Sequence, residues 1–302
     1  MNYANSIQDL IGKTPMLRLN HLDTPAEVSL FAKLELFNPA GSVKDRVGQY
    51  MVAEAEKSGR LLPGGTIVEA TAGNTGIGIA IAALNKGYRV IFVVPGKFSM
   101  EKQAVMHALG AEIVSTPREG GMQHAAQTAE AMLNTIPGAI SLRQFNNPAN
   151  PLAHYETTGP EIYSQLDGNI GYLVAGAGSG GTFSGVMRYL KEQNPNIQGV
   201  LADPIGSAIG GGEHRDYDIE GIGNDFIPET MDSSLVDRVI KIGDTEAFDT
   251  ARLLAKKEGV VAGSSSGAAL AAAMKLASDV TRGNIVVILP DRGDRYFSKN
   301  LF

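Results

Sequence analysis

Short, nearly uniform apolar runs alternate with helical stretches along almost the whole chain, and that alternation leaves few folds open. Residues 66–70, 88–94, 111–115, 171–175, 197–202 and 284–289 read as strands. A further strand at 29–36 is closed by Asn38-Pro-Ala-Gly41. Helical spacing follows at 75–86, 99–109, 121–133, 182–193, 245–257 and 266–278, with another helix ending near 165. Strands apolar on both sides, separated by helices, predict an α/β fold of mainly parallel, doubly wound sheets covered on both faces. In such sheets ligands bind beyond the carboxyl ends of the strands, so chemistry is sought in the strand-to-helix loops. No internal repeat is present. The Pro- and Asn-rich stretch 146–151 and the stretch 37–41 predict crossings between two lobes. The larger lobe would comprise 1–40 and 147–302, and a smaller, mobile lobe 41–146.

Composition narrows the chemistry. The chain has 302 residues, a net charge of −6 and no basic run, so nucleic acid and anionic membrane are excluded as partners. It has no cysteine, which excludes disulfides, zinc–thiolate sites and a nucleophilic thiol. The N-terminal stretch lacks a basic-then-apolar leader, and no apolar run would span a bilayer. A cytoplasmic, soluble protein is expected, with no metal site. The 36 glycines are in excess and gather in a few loops.

Four of those loops carry the candidates. In the first, Ser42 followed by Asp45 reads as an N-cap with an acidic first turn, before Val43, Val47, Tyr50, Met51 and Ala55 recur at helical spacing. Lys44 then sits in the first turn, where the helix dipole disfavours a cation and lowers an amine's pKa. An amine that attacks carbonyls requires such lowering, although a solvated lysine fits the same pattern. The second loop, Thr71-Ala-Gly-Asn-Thr-Gly76, offers backbone N–H groups to a carboxylate, or is a capped connection. The third, Gly176-Ala-Gly-Ser-Gly-Gly-Thr182, has no bulky side chain and suits a phosphate, without the Gly-Lys-Ser/Thr of a Walker loop. The fourth, Gly263-Ser-Ser-Ser-Gly267, opens an Ala-rich helix, where serines cap. The third loop also satisfies Gly-x-Gly-x-x-Gly, with Asp203 ending the next strand as a ribose partner. An NAD-dependent enzyme is therefore a remote alternative, one that leaves the other three loops idle.

As an ordered set, these loops and their neighbours resemble the pyridoxal-phosphate enzymes of fold type II. The branch is that of cysteine synthase and cystathionine β-synthase. The resemblance runs through Ile11-Gly-Lys-Thr-Pro15, Gly41-Ser-Val-Lys-Asp-Arg46, Thr71–Gly76, Gln144-Phe-Asn-Asn-Pro-Ala-Asn-Pro151 and Gly178-Ser-Gly-Gly-Thr182. It continues through Glu220-Gly-Ile-Gly-Asn-Asp-Phe-Ile-Pro228, Ala262-Gly-Ser-Ser-Ser-Gly267 and Leu289-Pro-Asp-Arg-Gly-Asp-Arg-Tyr296, essentially the whole chain.

What the resemblance implies is a set of roles. Lys44 would carry pyridoxal phosphate as a Schiff base and later move the substrate's α-proton. Gly178, Ser179, Gly180, Gly181 and Thr182 would hold the cofactor phosphate, Asn74 the ring's 3′ oxygen, and Ser265 the pyridine nitrogen. Thr71, Ala72, Gly73 and Thr75, with Gln144, would bind the substrate's α-carboxylate; many relatives have serine where this chain has Ala72. The implied reaction is β-replacement on O-acetyl-L-serine or L-serine through an aminoacrylate. Homocysteine is the expected acceptor and cystathionine the product, with sulfide and cysteine synthesis as the alternative. The preference for homocysteine rests on mixed charges in Gly210-Gly-Gly-Glu-His-Arg-Asp-Tyr217, and on Asp225 ahead of Phe226, as in cystathionine synthases. The resemblance also implies a homodimer. It leaves a serine acetyltransferase open as partner and implies neither haem dependence nor nucleotide regulation.

Overall fold

The computed structural model describes residues 3–96, 98, 100–299 and 301–302. Among these, the strands are β1 (Met16–Leu19), β2 (Val28–Leu34), β3 (Thr66–Ala70), β4 (Arg89–Pro95) and β5 (Glu112–Thr116). They continue with β6 (Ala139–Ile140), β7 (Tyr172–Gly176), β8 (Gln198–Pro204), β9 (Arg238–Ile242) and β10 (Gly283–Leu289). The helices are α1 (Lys44–Lys57), α2 (Asn74–Ala83), α3 (Met100–Ala108), α4 (Gly121–Thr135) and α5 (Ala149–Ala153). After them come α6 (Gly159–Gln165), α7 (Gly181–Gln193), α8 (Asp244–Glu258) and α9 (Ser264–Asp279). The helix expected from residue 99 is described from Met100; Ser99 lies outside the described residues. No helix among the described residues is long and apolar enough to cross a membrane.

By its contacts the chain forms two units, one of Met1–Ile11 with Lys44–Ala149, the other of Gly12–Val43 with Asn150–Phe302. The sequence pattern places all of 1–40 in the larger lobe instead. The first eleven residues join the smaller unit because Gln8 donates to the carbonyls of Ile81 and Leu84 at 2.9 and 3.2 Å.

The smaller unit holds a four-stranded sheet in the order β5-β4-β3-β6, parallel throughout. Val68, Ile91 and Val93 pack beneath Ala125 and Ala129 of α4. After β3 the chain winds outward through β4 and β5, then returns to pair β6 on the other side of β3. That reversal is where a doubly wound sheet opens a crevice for ligands, and the loops leaving β3 and β6 flank it.

The larger unit holds a six-stranded sheet in the order β1-β2-β10-β7-β8-β9, parallel except for β1 against β2. Neighbouring strand residues part to opposite faces. Val174, Val200 and Val287 join the layer containing Leu254 and Leu270, while Leu173, Leu201 and Val286 join that of Phe183 and Leu190. Burial of this kind contributes about 1.5–3 kcal/mol per large side chain. The strands β1, β6 and β9 were not expected from the sequence.

Candidate active site

In the smaller unit the site is organised by two helices in backbone contact. A Cβ built on Gly48 would lie 2.1 Å from the Gly78 carbonyl oxygen, and one on Gly78 would lie 2.1 Å from the Lys44 carbonyl oxygen. Only glycine at both positions lets α1 and α2 approach so closely. Lys44, the first residue of α1, is thereby set against the helix that begins at Asn74. Its place in the first turn agrees with the sequence. Ser42 lies two residues before the helix and pairs with Asp291 in an isolated bridge, beside a bond from the Val43 N–H to the Pro290 carbonyl at 2.8 Å.

Thr71, Ala72 and Gly73 link β3 to α2, and Asn74 and Thr75 form the helix's first turn. Among the described residues, the N–H groups of Ala72 and Thr75 find no protein acceptor, as expected of a helix start that receives an anion. A side chain on Gly73 would meet nothing within 4 Å, so the loop faces open space there. Thr75 Oγ1 donates to Gln144 Oε1 at 2.6 Å, which brings the two predicted carboxylate-binding segments together.

Sequence reasoning missed Glu69. Its Oε1 accepts from Ser141 Oγ at 3.0 Å, from Arg143 N at 3.1 Å and from Leu142 N, on the turn that leads to Gln144. Burial pushes its carboxyl above the ordinary glutamate range, against those hydrogen bonds and the Arg143 charge.

In the larger unit the loop after β7 opens α7. Gly180 has φ +81° and packs on Met231, where a Cβ would lie 2.5 Å from that side chain. A Cβ on Gly178 would lie 2.5 Å from the Gly221 carbonyl oxygen. Among the described residues, the N–H groups of Gly178, Ser179, Gly180, Gly181 and Thr182 donate to no protein acceptor. Such a cluster at a helix N-terminus fits a phosphate dianion. The loop is held by side chains that the sequence did not single out. Asn150 donates to Ser179 Oγ at 2.9 Å, Asn224 donates to the Gly178 carbonyl at 2.6 Å, and the buried His154 bonds the Thr182 hydroxyl at 3.1 Å.

Ser265 lies in the first turn of α9 and is 3% exposed, yet its hydroxyl makes no hydrogen bond among the described residues. A Cβ on Gly221 would lie 3.7 Å from that oxygen, so Ser265 and the phosphate loop share the 220–224 segment as a neighbour. With no protein partner among these residues and its oxygen still reachable from solvent, the hydroxyl is left available to a ring nitrogen. The donor set therefore fits pyridoxal phosphate. Behind Ser265, Gly263 N donates to the Asp291 carbonyl at 3.1 Å, and the Tyr296 hydroxyl donates to Asp291 Oδ2 at 2.6 Å.

Asp203, the residue a dinucleotide would need, is fully buried. It accepts from the Lys241 ammonium and from Gly210 N, and is committed to the fold. Buried as it is, it offers no oxygen to a ribose at the surface. Glu213, Arg215 and Asp216 are exposed, as are Asp225 and Phe226.

A family model described as pyridoxal-phosphate dependent enzyme matches residues 7–291. The chain belongs to that family. It is 49% identical to an O-acetylserine dependent cystathionine β-synthase of Bacillus subtilis, over 100% of this chain and 99% of that protein. It is 45% identical to a cysteine synthase of Helicobacter pylori over 98% of each. Among solved structures, an O-acetylserine dependent cystathionine β-synthase from Helicobacter pylori superposes with a TM-score of 0.94 at 44% identity, covering 100% of both chains. The chain is thus a pyridoxal-phosphate-dependent enzyme of the fold type II architecture, and β-replacement on an amino acid is its reaction class. The dinucleotide reading is set aside.

Proposed function

We propose that the chain catalyses β-replacement on O-acetyl-L-serine with homocysteine as acceptor, yielding cystathionine. The observation that carries the acceptor is Asp225. It is exposed, and it follows directly on Asn224, whose amide is bonded to the phosphate loop. A carboxylate held there suits the ammonium group that homocysteine has and sulfide lacks. The printed activity of the Bacillus relative supports the same choice.

Bound pyridoxal phosphate supplies an electron sink for the bond breaking at the substrate's α-carbon. The roles of the protein's residues follow from their placement. The Lys44 amine carries the cofactor, then takes the proton from the substrate's Cα. Thr71, Ala72, Gly73 and Thr75, with Gln144, bind and orient the α-carboxylate; at Ala72 the backbone alone can donate, since a methyl group stands where a hydroxyl would reach. Gly178, Ser179, Gly180, Gly181 and Thr182 hold the phosphate, and Asn74 the 3′ oxygen. Ser265 offers the ring nitrogen a neutral partner, which favours elimination across Cα–Cβ over a long-lived carbanion.

The second reading is a cysteine synthase, favoured by the names of the Helicobacter relatives. The two are separated by kcat/KM for homocysteine against sulfide with O-acetyl-L-serine as donor. Cystathionine formed with the larger kcat/KM supports the proposal; efficient cysteine formation with no cystathionine overturns it. A homodimer in the cytoplasm belongs to the same proposal, and light scattering of the purified protein tests the dimer.

A further inference from the structure

One half-buried acid near the site has no part in the roles above. Glu69 is the penultimate residue of β3 and so lies on the strand that delivers the Thr71–Thr75 loop. Its Oε1 gathers donors from three consecutive residues after β6: Ser141 Oγ, Leu142 N and Arg143 N. The last of these has φ +52°, left-handed backbone that costs a non-glycine residue about 1–2 kcal/mol. Such a conformation persists where the surroundings over-determine it. Here they include Glu69 and two further bonds, from Asn146 N and Asn147 N to the Arg143 carbonyl, both 3.0 Å. The next residue is Gln144, whose Oε1 is already fixed on Thr75 Oγ1. Both ends of the carboxylate-binding segment therefore lead back to one side chain.

We propose that Glu69 is a positioning residue for substrate recognition. By clamping the 141–143 turn it sets where Gln144 meets the Thr71–Thr75 loop, and so sets the grip on the α-carboxylate. The inference rests on the carboxylate role proposed for that loop and for Gln144. Glu69 touches neither substrate nor cofactor, so its removal is expected in KM for a carboxylate substrate rather than in the cofactor's absorbance.

The test uses holoenzyme, O-acetyl-L-serine and the corresponding primary amide, which keeps the shape of the substrate and loses its charge. In Glu69→Ala, KM for the acid should rise about 10- to 100-fold, as for a site displaced by about 1 Å. KM for the amide and kcat should stay within about threefold, so that the preference for acid over amide collapses. Glu69→Gln keeps an acceptor oxygen and should retain most of the preference. Ser141→Ala, which removes one donor, should lose part of it and serves in place of Glu69→Ala if that variant does not fold. Gln144→Ala separates the two layers of the argument. If Gln144→Ala abolishes the preference while Glu69→Ala and Ser141→Ala both leave it intact, the positioning role is overturned. If Gln144→Ala itself leaves it intact, the carboxylate reading beneath it is overturned.

Discussion

Replacing Gly78 by alanine drives a methyl group into the carbonyl of Lys44. The built Cβ would lie 2.1 Å from that oxygen and 2.6 Å from its carbon. A carbon–oxygen contact relaxes only near 3.3 Å, so the two helices must part by about 1.2 Å. The shift falls on the backbone of the residue that carries the cofactor, measured against the helix that presents the carboxylate loop. A misplacement of about 1 Å costs a reaction roughly 100-fold, or about 2.7 kcal/mol. Stability should move less. Overpacking costs about 1–3 kcal/mol, and alanine regains about 1 kcal/mol over glycine inside a helix. Steady-state kcat/KM with O-acetyl-L-serine, alongside thermal unfolding, measures both. Gly243→Ala is the control, since its φ is −85° and a Cβ there meets nothing closer than Ile205 Cδ1 at 3.7 Å. A Gly78→Ala enzyme with kcat/KM close to wild type, at unchanged melting temperature, would refute the argument.

Other outcomes follow from the same geometry. Lys44→Ala should retain pyridoxal phosphate through the phosphate loop, more weakly, and turn over no donor; equilibrium dialysis and product assay check the two halves. Gly180→Ala forces a side chain onto a backbone at φ +81° and against Met231, so fluorescence titration should show cofactor affinity reduced while donor KM, at saturating cofactor, changes little. Glu69→Gln predicts a pH effect on stability. Burial raises the wild-type carboxyl above its unfolded value, so its contribution is fully present below about pH 4.3 and is lost as pH rises through the folded value. Melting curves should therefore show the variant gaining on wild type as pH rises above the unfolded glutamate value.

The parallel strands were legible because they are buried on both faces and read as unbroken apolar runs, as in Leu173-Val-Ala175. The edge strands were not. β6 is two residues long, and β9 spends Arg238 and Val239 on solvent, so neither has the pattern of a covered strand. Glycine-rich loops announced the anion sites, since a backbone that binds through N–H groups needs small side chains around it. What stayed hidden is what holds those loops. Glu69 lies 72 to 74 residues from its three donors, and Asp203 lies 38 from Lys241, distances at which no local pattern survives. Gly78 reads in sequence only as a weak spot in an Ile- and Ala-rich helix; its purpose appears when α1 is laid against it.

The claim on which the account depends is that Lys44 carries the cofactor, and borohydride reduction with peptide mapping tests it directly. The purified protein, loaded with pyridoxal phosphate and then reduced, should lose its visible absorbance and carry the cofactor's mass on the peptide containing Lys44 alone. Label on any other lysine, or a protein that takes up no pyridoxal phosphate, would contradict it.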